Sequence, residues 1–191
     1  MKLDSYVSGQ WAAPGRDLIE VRSAVTGDVI AEATSGGLDM HSVLAYARNV
    51  GGKNLRKLTF HQRADLLKKL AQYLTERKDQ LYKLSFQTGA TRTDNLIDVD
   101  GGIGTLFVYA GKGRRELPNC TFLLDGAVEP MGKGGTFAGK HIVTSLRGVA
   151  VHINAFNFPC WGLLEKLAPA LLAGVPVVSK PATVTTRLRL R

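Results

Sequence analysis

Hydrophobic residues recur at helical spacing through the first half of the chain. The stretch from Leu38 to about Val50 places its apolar residues on one side, which predicts a helix. A stronger pattern begins after Thr59, which can form a capping box with Gln62, and continues to about Glu76. One face of this second helix carries Phe60, Ala64, Leu67, Leu70, Ala71 and Leu74.

Two further helices are predicted in the first half, and short strands precede all of them. One covers Asp79 to Gln87 and stops at Gly89, since glycine commonly ends helices. The other covers Asp94 to Ala110 despite three glycines, whose small size would suit close helix packing. Residues 1–35 mix turn residues with weakly alternating apolar residues, which predicts short strands.

The pattern then changes to extended structure. Residues 114–145 are rich in glycine and β-branched residues and predict strands joined by a hairpin at 132–135. A buried strand at 148–153, a loop, a helix at 161–172 and a second strand at 175–179 follow. This β–loop–α–β order is the building block of a parallel, doubly wound sheet, so the sequence predicts an α/β fold.

The composition is that of a globular chain with excess positive charge. Hydrophobic residues make up 45% of the 191 positions and charged residues 21%. The formal charge of +9 raises a nucleic-acid interpretation, but no aromatic residues alternate with the basic ones to stack bases. We favour solvated basic faces and a site that handles phosphate groups. Three of the charges lie in a basic tail, at Arg187, Arg189 and Arg191.

Targeting signals are missing from this sequence, and its cysteines are few. No apolar run reaches the roughly 18 residues that cross a bilayer, and the first residues lack the apolar core of a signal peptide. Cys120 and Cys160 are too few for a disulfide framework. We therefore expect a cytoplasmic protein that binds neither membranes nor nucleic acids.

Several motifs resemble known sites but lack a decisive part. Gly134 to Lys140 nearly completes a phosphate-binding loop, yet His141 stands where a hydroxyl should bind magnesium. The four histidines lack the spacing of a metal site, so no metal is expected. Cys160 could be a nucleophile, but no histidine or carboxylate lies near it in sequence. A buried, inert thiol is the better interpretation.

Polar residues follow both predicted strands of the β–loop–α–β unit. Asn154–Pro159 lies after the first strand and Ser179–Thr183 after the second, where open α/β sheets bind ligands. The amide of Asn157 could donate to a developing oxyanion, and Lys180 could meet ribose hydroxyls or a phosphate. Alternatively, Asn157 could cap the following helix and Lys180 could be a solvated turn residue. Spacing alone leaves both interpretations open.

The segment Phe156-Asn157-Phe158-Pro159 resembles the Trp-Asn-Phe-Pro signature of aldehyde dehydrogenases. Residues 167–174 and the pair Lys180-Pro181 also match that family. The resemblance reaches about Thr186. It implies an incomplete aldehyde-dehydrogenase fold, with a partial doubly wound parallel sheet, N-terminal helices and an extended interface segment.

The chain resembles one subgroup of this family more closely than the family as a whole. Residues 87–92, 100–106 and 152–162 are similar to the ring-opening enzymes of aerobic phenylacetate degradation and, next, to semialdehyde dehydrogenases of benzoyl-CoA oxidation. The resemblance also implies a division of the chain. It comprises N-terminal strands and helices of the cofactor domain at 1–113, an oligomerisation-type segment at 114–145, the β–loop–α–β unit at 146–186 and an atypical basic tail at 187–191.

The resemblance assigns roles to the polar residues at the predicted sheet edge. In the family a cysteine thiolate attacks an aldehyde, the thiohemiacetal passes hydride to a nicotinamide, and water releases the acid. Asn157 aligns with the asparagine that holds the oxyanion, and Lys180 with the lysine that binds the adenosine ribose. Thr183 stands where NAD-preferring relatives carry a glutamate, so NADP is the expected cofactor, with NAD possible. The cofactor-lining strand end aligns with Ile153, Asn154, Ala155 and Phe156.

The family's nucleophilic cysteine and general-base glutamate lie further along than these 191 residues, and Cys160 does not hold the nucleophile's position. We therefore expect this chain alone to be inactive. The parent enzyme would be a homo-oligomer that oxidises a CoA-linked semialdehyde during aromatic degradation. The alternative is a non-catalytic, truncated subunit that binds nucleotide or a full-length partner.

Overall fold

The computed structural model describes residues 1–188, whose helices pack together beside four separate two-stranded sheets. Two antiparallel pairs come first. β1 (Ser5–Val7) pairs with β2 (Gln10–Ala12), and β3 (Ile19–Arg22) pairs with β4 (Val29–Ala33). These pairs confirm the short strands predicted for the turn-rich start of the chain.

The first helical segment runs further than its apolar pattern predicts. α1 (Met40–Tyr46) continues through a π-helical turn, 47–51, into α2 (Gly52–Lys57). The predicted end near Val50 is therefore wrong by about two turns. Gly51 in this segment packs closely against another part of the chain, since a Cβ on it would lie 3.3 Å from the Pro176 side chain.

The next two helices match their sequence signals. α3 (Phe60–Thr75) begins with the predicted capping box, in which Gln62 N donates to Thr59 Oγ1 at 3.2 Å and Thr59 N donates to Gln62 Oε1 at 2.9 Å. α4 (Lys78–Phe86) follows after a short turn. Both helices are confirmed to within a few residues.

The glycine-containing helix is divided by a second π-helical turn. α5 (Arg92–Asn95) leads through the turn Leu96–Asp100 into α6 (Gly101–Arg115). The extended structure predicted from residue 114 therefore begins later than expected. Lys112 Nζ lies 3.2 Å from the Glu116 carboxylate one turn along, and this ion pair supports the helix end.

The main core lies where α3 and α6 pack against α7 (Pro159–Leu172). Two of the three glycines in the predicted helix pack closely, as predicted, since a Cβ on Gly101 would lie 2.8 Å from the Trp161 ring and one on Gly102 would lie 3.0 Å from Trp161 Cα. A Cβ on Gly104 would meet nothing within 4 Å among the described residues, and Gly113, beyond the predicted end, also makes a close contact. A Cβ on Gly113 would lie 2.7 Å from Leu172 and 2.9 Å from Ala64. The buried core residues are Ala64, Leu67, Ala71, Leu81, Val99, Ile103, Leu106, Ala110, Leu164, Ala168 and Leu172.

A long hairpin interrupts the core-forming helices. β5 (Phe122–Met131) pairs with β6 (Phe137–Thr144) in antiparallel register, and nearly every side chain on both strands is exposed. The glycine-rich phosphate-loop candidate therefore lies in the hairpin turn and in β6, with no helix behind it. The sequence interpretation that set this motif aside is confirmed.

The predicted β–loop–α–β unit is present. β7 (Ala150–Ile153) pairs in parallel with β8 (Val177–Lys180), and α7 connects them. Within residues 1–188 the parallel sheet has these two strands, so the fold is mixed α/β with small sheets. The same residues include no helix that is long and apolar enough to cross a membrane and no cluster suited to holding a metal. Arg189 and Arg191 lie outside the described residues, and the four-segment division stays a prediction.

Candidate functional site at the carboxyl edge of the parallel strands

The candidate site lies where β7 and β8 end. Ile153 and Lys180 are paired across the sheet, so both strands finish at the same level. Ile153 is 74% exposed, and the exposed Lys180 donates from Nζ to the carbonyl of Pro181 at 3.1 Å. Thr183 opens the short 3₁₀ turn Thr183–Thr185 directly beyond. The structure thus brings together the strand-end residues that the sequence predicts for this edge.

Asn154 fixes the loop that leaves β7. Its backbone N–H donates to the Lys180 carbonyl at 3.0 Å, and its Nδ2 donates to Ser179 Oγ at 2.8 Å. The side chain is buried, and its Oδ1 has no hydrogen-bond partner among the described residues. Asn154 therefore acts as a structural link between the two strands, with one acceptor atom still free at the site.

The loop beyond Asn154 is exposed and sharply turned. Phe156 and Phe158 are 67% and 45% exposed, and Asn157 between them is also exposed. Phe158 has φ 50° and ψ 54°, a left-handed conformation that a bulky residue rarely adopts. The left-handed residue is the N-cap of α7, and its side chain makes no capping bond. The capping interpretation of Asn157 is therefore wrong, and its amide is accessible at the edge of the sheet.

Asp98, which no sequence motif singles out, caps α7 instead. Its carboxylate accepts from Trp161 N at 2.7 Å and from Cys160 N at 3.2 Å, the free amides of the first helical turn. The residue is only 4% exposed and projects from the π-helical turn Leu96–Asp100. Asp98 thus ties the start of α7, and the loop before it, to α6.

Cys160 lies beside the same carboxylate, although burial is the main influence on its thiol. Burial raises the pKa of the Cys160 thiol to about 12, and the charge of Asp98 and a hydrogen bond to it act in the same direction. Burial also raises the pKa of Asp98, although its bonds to the two backbone amides oppose that rise. A thiol of this kind stays protonated at neutral pH, which favours the interpretation of the partly buried Cys160 as an inert residue.

Charged side chains hold α7 at both ends. Arg63 is 1% exposed and donates from Nη1 to the Leu172 carbonyl at 2.9 Å, at the carboxyl end of the helix. Asp98 occupies the amino end. A negative charge at the amino end and a positive charge at the carboxyl end both complement the helix dipole. The helix that follows the exposed loop is therefore held in position at both ends.

This arrangement can be compared with known proteins. The model of the aldehyde dehydrogenase family matches residues 11–191, almost the whole chain. The chain belongs to the aldehyde dehydrogenase family. Within this family, the chain is 43% identical over its full length to 3,4-dehydroadipyl-CoA semialdehyde dehydrogenase of Aromatoleum evansii. It is 28% identical, over 93% of its length, to succinate-semialdehyde dehydrogenase [NADP(+)] 2 of Schizosaccharomyces pombe.

Solved structures show the same fold. The chain superposes with a TM-score of 0.83 on 3,6-anhydro-L-galactose dehydrogenase in complex with NAP, at 24% identity over 98% of its length. Lactaldehyde dehydrogenase from Escherichia coli gives a TM-score of 0.80 at 22% identity. The chain spans 38% of each of these structures, and 37% and 35% of the two sequence relatives. It therefore corresponds to a little over a third of a family member.

Proposed function

We propose that the chain is the N-terminal part of an aldehyde dehydrogenase that uses NADP to oxidise a CoA-linked semialdehyde to its acid. The observation that carries the proposal is the accessible Asn157 loop at the carboxyl edge of the β7–β8 sheet, beside Lys180. Similarity over the whole of this chain to a protein named as a CoA-semialdehyde dehydrogenase supports the substrate class. Degradation of phenylacetate, or of a similar aromatic acid, is the proposed setting, and a cytoplasmic location stays a prediction.

The residues present at this edge fit a dinucleotide. Ile153 and Phe156 offer exposed apolar surface at this edge, and the buried Asn154 holds the loop between them against β8. In the proposal, Lys180 binds the adenosine ribose and Thr183 donates its hydroxyl to the 2′-phosphate. The bound cofactor would supply the hydride acceptor for the reaction.

Asn157 is the proposed oxyanion donor. Its exposed amide can donate to the aldehyde oxygen as negative charge develops there, and the neighbouring left-handed residue fixes the direction of the loop. Cys160 is not suited to nucleophilic attack, because its pKa is raised to about 12. We therefore propose that these 191 residues bind the cofactor but do not turn over an aldehyde by themselves.

The cofactor preference is testable on the chain itself. NADPH should bind about tenfold more tightly than NADH, since a hydrogen bond to a charged phosphate contributes about 1.5 kcal/mol or more. Titration of nicotinamide fluorescence measures both affinities. Thr183→Glu should reverse the preference by repelling the 2′-phosphate, and Lys180→Ala should weaken both complexes.

A matched lysine elsewhere provides the control. Lys69→Ala removes an exposed lysine from α3 and should leave both affinities unchanged. NADH binding as tight as NADPH binding would contradict the NADP assignment. Equal loss of binding in the Lys69 and Lys180 variants would contradict the proposed site. Addition of an aldehyde to the NADP complex should yield no NADPH.

The exposed hairpin favours a second candidate function, assembly with another subunit. Both faces of β5 and β6 lie in solvent, although each carries large apolar side chains. Phe137 and Met131 are paired across the hairpin and are 72% and 56% exposed. Apolar surface of this extent on a two-stranded hairpin is typical of an interaction surface. The proposed occupant is a second copy of this chain or a full-length family subunit.

Assembly through the hairpin should depend on these two side chains. Phe137→Glu combined with Met131→Glu should raise the dissociation constant at least tenfold, because each apolar side chain contributes about 1.5 kcal/mol or more when buried. Analytical ultracentrifugation measures the constant for self-association. Lys133→Glu makes the same change of two charge units in the hairpin turn and should have little effect. A chain that stays monomeric, and that forms no stoichiometric complex with a full-length subunit, would rule out this second function.

A further inference from the structure

A basic cleft lies at the base of the hairpin, where β5 and β6 leave the helical body. Its volume is about 360 Å³. Arg56 and Arg147 line it together with the hydroxyl-bearing residues Thr121, Thr144 and Ser145, and apolar side chains of β5 and β6 complete the walls. None of these residues belongs to the proposed cofactor edge. The cleft is therefore a separate feature from that edge.

The charge in this cleft is uncompensated within residues 1–188. The lining includes two arginines and no carboxylate, and neither Arg56 nor Arg147 forms an ion pair there. The Nη1 atom of Arg56 is buried and has no hydrogen-bond partner in this part of the chain. That atom lies against Gly52 of its own helix, where a Cβ would be 2.9 Å away, so it is not itself a donor into the cleft. Arg147 is exposed, and its guanidinium is accessible to an anion there.

A third arginine lies directly behind the cleft wall. Arg63 Nη1 donates to Ser145 Oγ at 3.3 Å, and Ser145 lines the cleft. Arg63 is 1% exposed, and its Nε and Nη2 have no partner among the described residues. Because Ser145 Oγ accepts this bond, the serine hydroxyl hydrogen is not used in it. Three guanidinium groups therefore contribute positive potential at one place.

The lining chemistry distinguishes between anions. A guanidinium donates two parallel hydrogen bonds to an oxyanion, and each hydroxyl can donate one more. Two arginines and three hydroxyls exceed what the two oxygens of a carboxylate accept, whereas a phosphate offers three oxygens and nearly two charges. The volume exceeds that of a phosphate alone, and the apolar walls suit an organic group. We propose that this cleft binds the phosphate group of a small phosphate ester.

Inorganic phosphate is the first probe, with amide chemical shifts of the ¹⁵N-labelled chain as the readout. Saturable shifts should appear around residues 144–147 and Arg56, and chloride at matched ionic strength should not produce them. Arg147→Gln and Arg56→Gln should each weaken binding at least tenfold. Arg16→Gln is the control, because Arg16 is exposed and is not among the residues that line the cleft. This substitution should leave phosphate binding unchanged. Equal melting temperatures show that the variants remain folded.

Other outcomes overturn the proposal. Shifts that grow linearly with phosphate, or that persist unchanged in Arg147→Gln, would mean charge screening without a site. Equal affinity for succinate would assign the cleft to carboxylates. The test is independent of the proposed dehydrogenase function, since Lys180→Ala should weaken NADPH binding while phosphate shifts at 144–147 persist. Failure of the unsubstituted chain to bind NADPH, with the phosphate shifts still present, would count against the cofactor site only.

Discussion

Cys160 should react with iodoacetamide about 1000-fold more slowly in the folded chain than in urea at pH 8. Only the thiolate is nucleophilic, and the pKa of Cys160 rises from 9.0 to about 12 in the folded chain, chiefly through burial. Each pKa unit reduces the thiolate fraction tenfold. Quenched alkylation followed by peptide mass analysis measures the rate, and Cys120→Ser removes the second thiol.

Two further measurements test the origin of the raised pKa of Cys160 and its effect on stability. Asp98→Asn removes the nearby negative charge and should speed alkylation of the folded chain, while the rate in urea stays the same. Since the folded pKa lies above the unfolded one, the thiol's contribution to stability is complete below pH 9 and is lost as the pH rises towards 12. Rapid alkylation of the folded chain at pH 8 would reopen the nucleophile interpretation of Cys160.

Asp98→Ala should lower the free energy of unfolding by about 3 kcal/mol. The substitution leaves the amides of Cys160 and Trp161 at the helix start without their acceptor, and hydrogen bonds to a charged group contribute about 1.5–3 kcal/mol each. The cost of burying the carboxylate offsets part of that contribution. Urea unfolding followed by circular dichroism measures the change.

The control for this prediction is Asp125→Ala, at an exposed position on β5. It should change stability by no more than about 0.5 kcal/mol. Asp98→Asn keeps one acceptor oxygen and should fall between wild type and Asp98→Ala. An Asp98→Ala chain as stable as the Asp125 control would mean that water replaces the cap, and the positioning of α7 by Asp98 would be refuted.

Local signals predicted most of the elements. The capping box at Thr59 and Gln62, the turn glycines of the hairpin and the apolar runs around residues 148–179 each depend on neighbours within a few positions. The elements predicted from these signals agree with the structure because each signal depends only on residues close by in the sequence. The same short range explains the errors at helix ends, because contacts with distant residues, such as that of Gly51 with Pro176, are not visible in a local pattern.

The site could be predicted only in part. The strand ends and the Asn157 loop follow from the order of strand, loop and helix, and the resemblance to aldehyde dehydrogenases added roles for Lys180 and Thr183. Asp98 carries no such signal, because its partners lie 62 and 63 residues further along. From sequence alone, an aspartate within a helical pattern is predicted to be solvent-exposed, and only the packing of α6 against α7 shows that Asp98 is buried.

The two charged groups that hold α7 also determine the order in which the core helices can pack during synthesis. During synthesis, Arg63 is made 109 residues before Leu172, its carbonyl acceptor, and ribosomes add about 5–20 residues per second. Arg63 and Asp98 must therefore stay hydrated for seconds, although α3 and α6 can already meet. Dehydration of both groups becomes favourable when α7 emerges, so the last of the three core helices to be made closes the interior of the nascent chain.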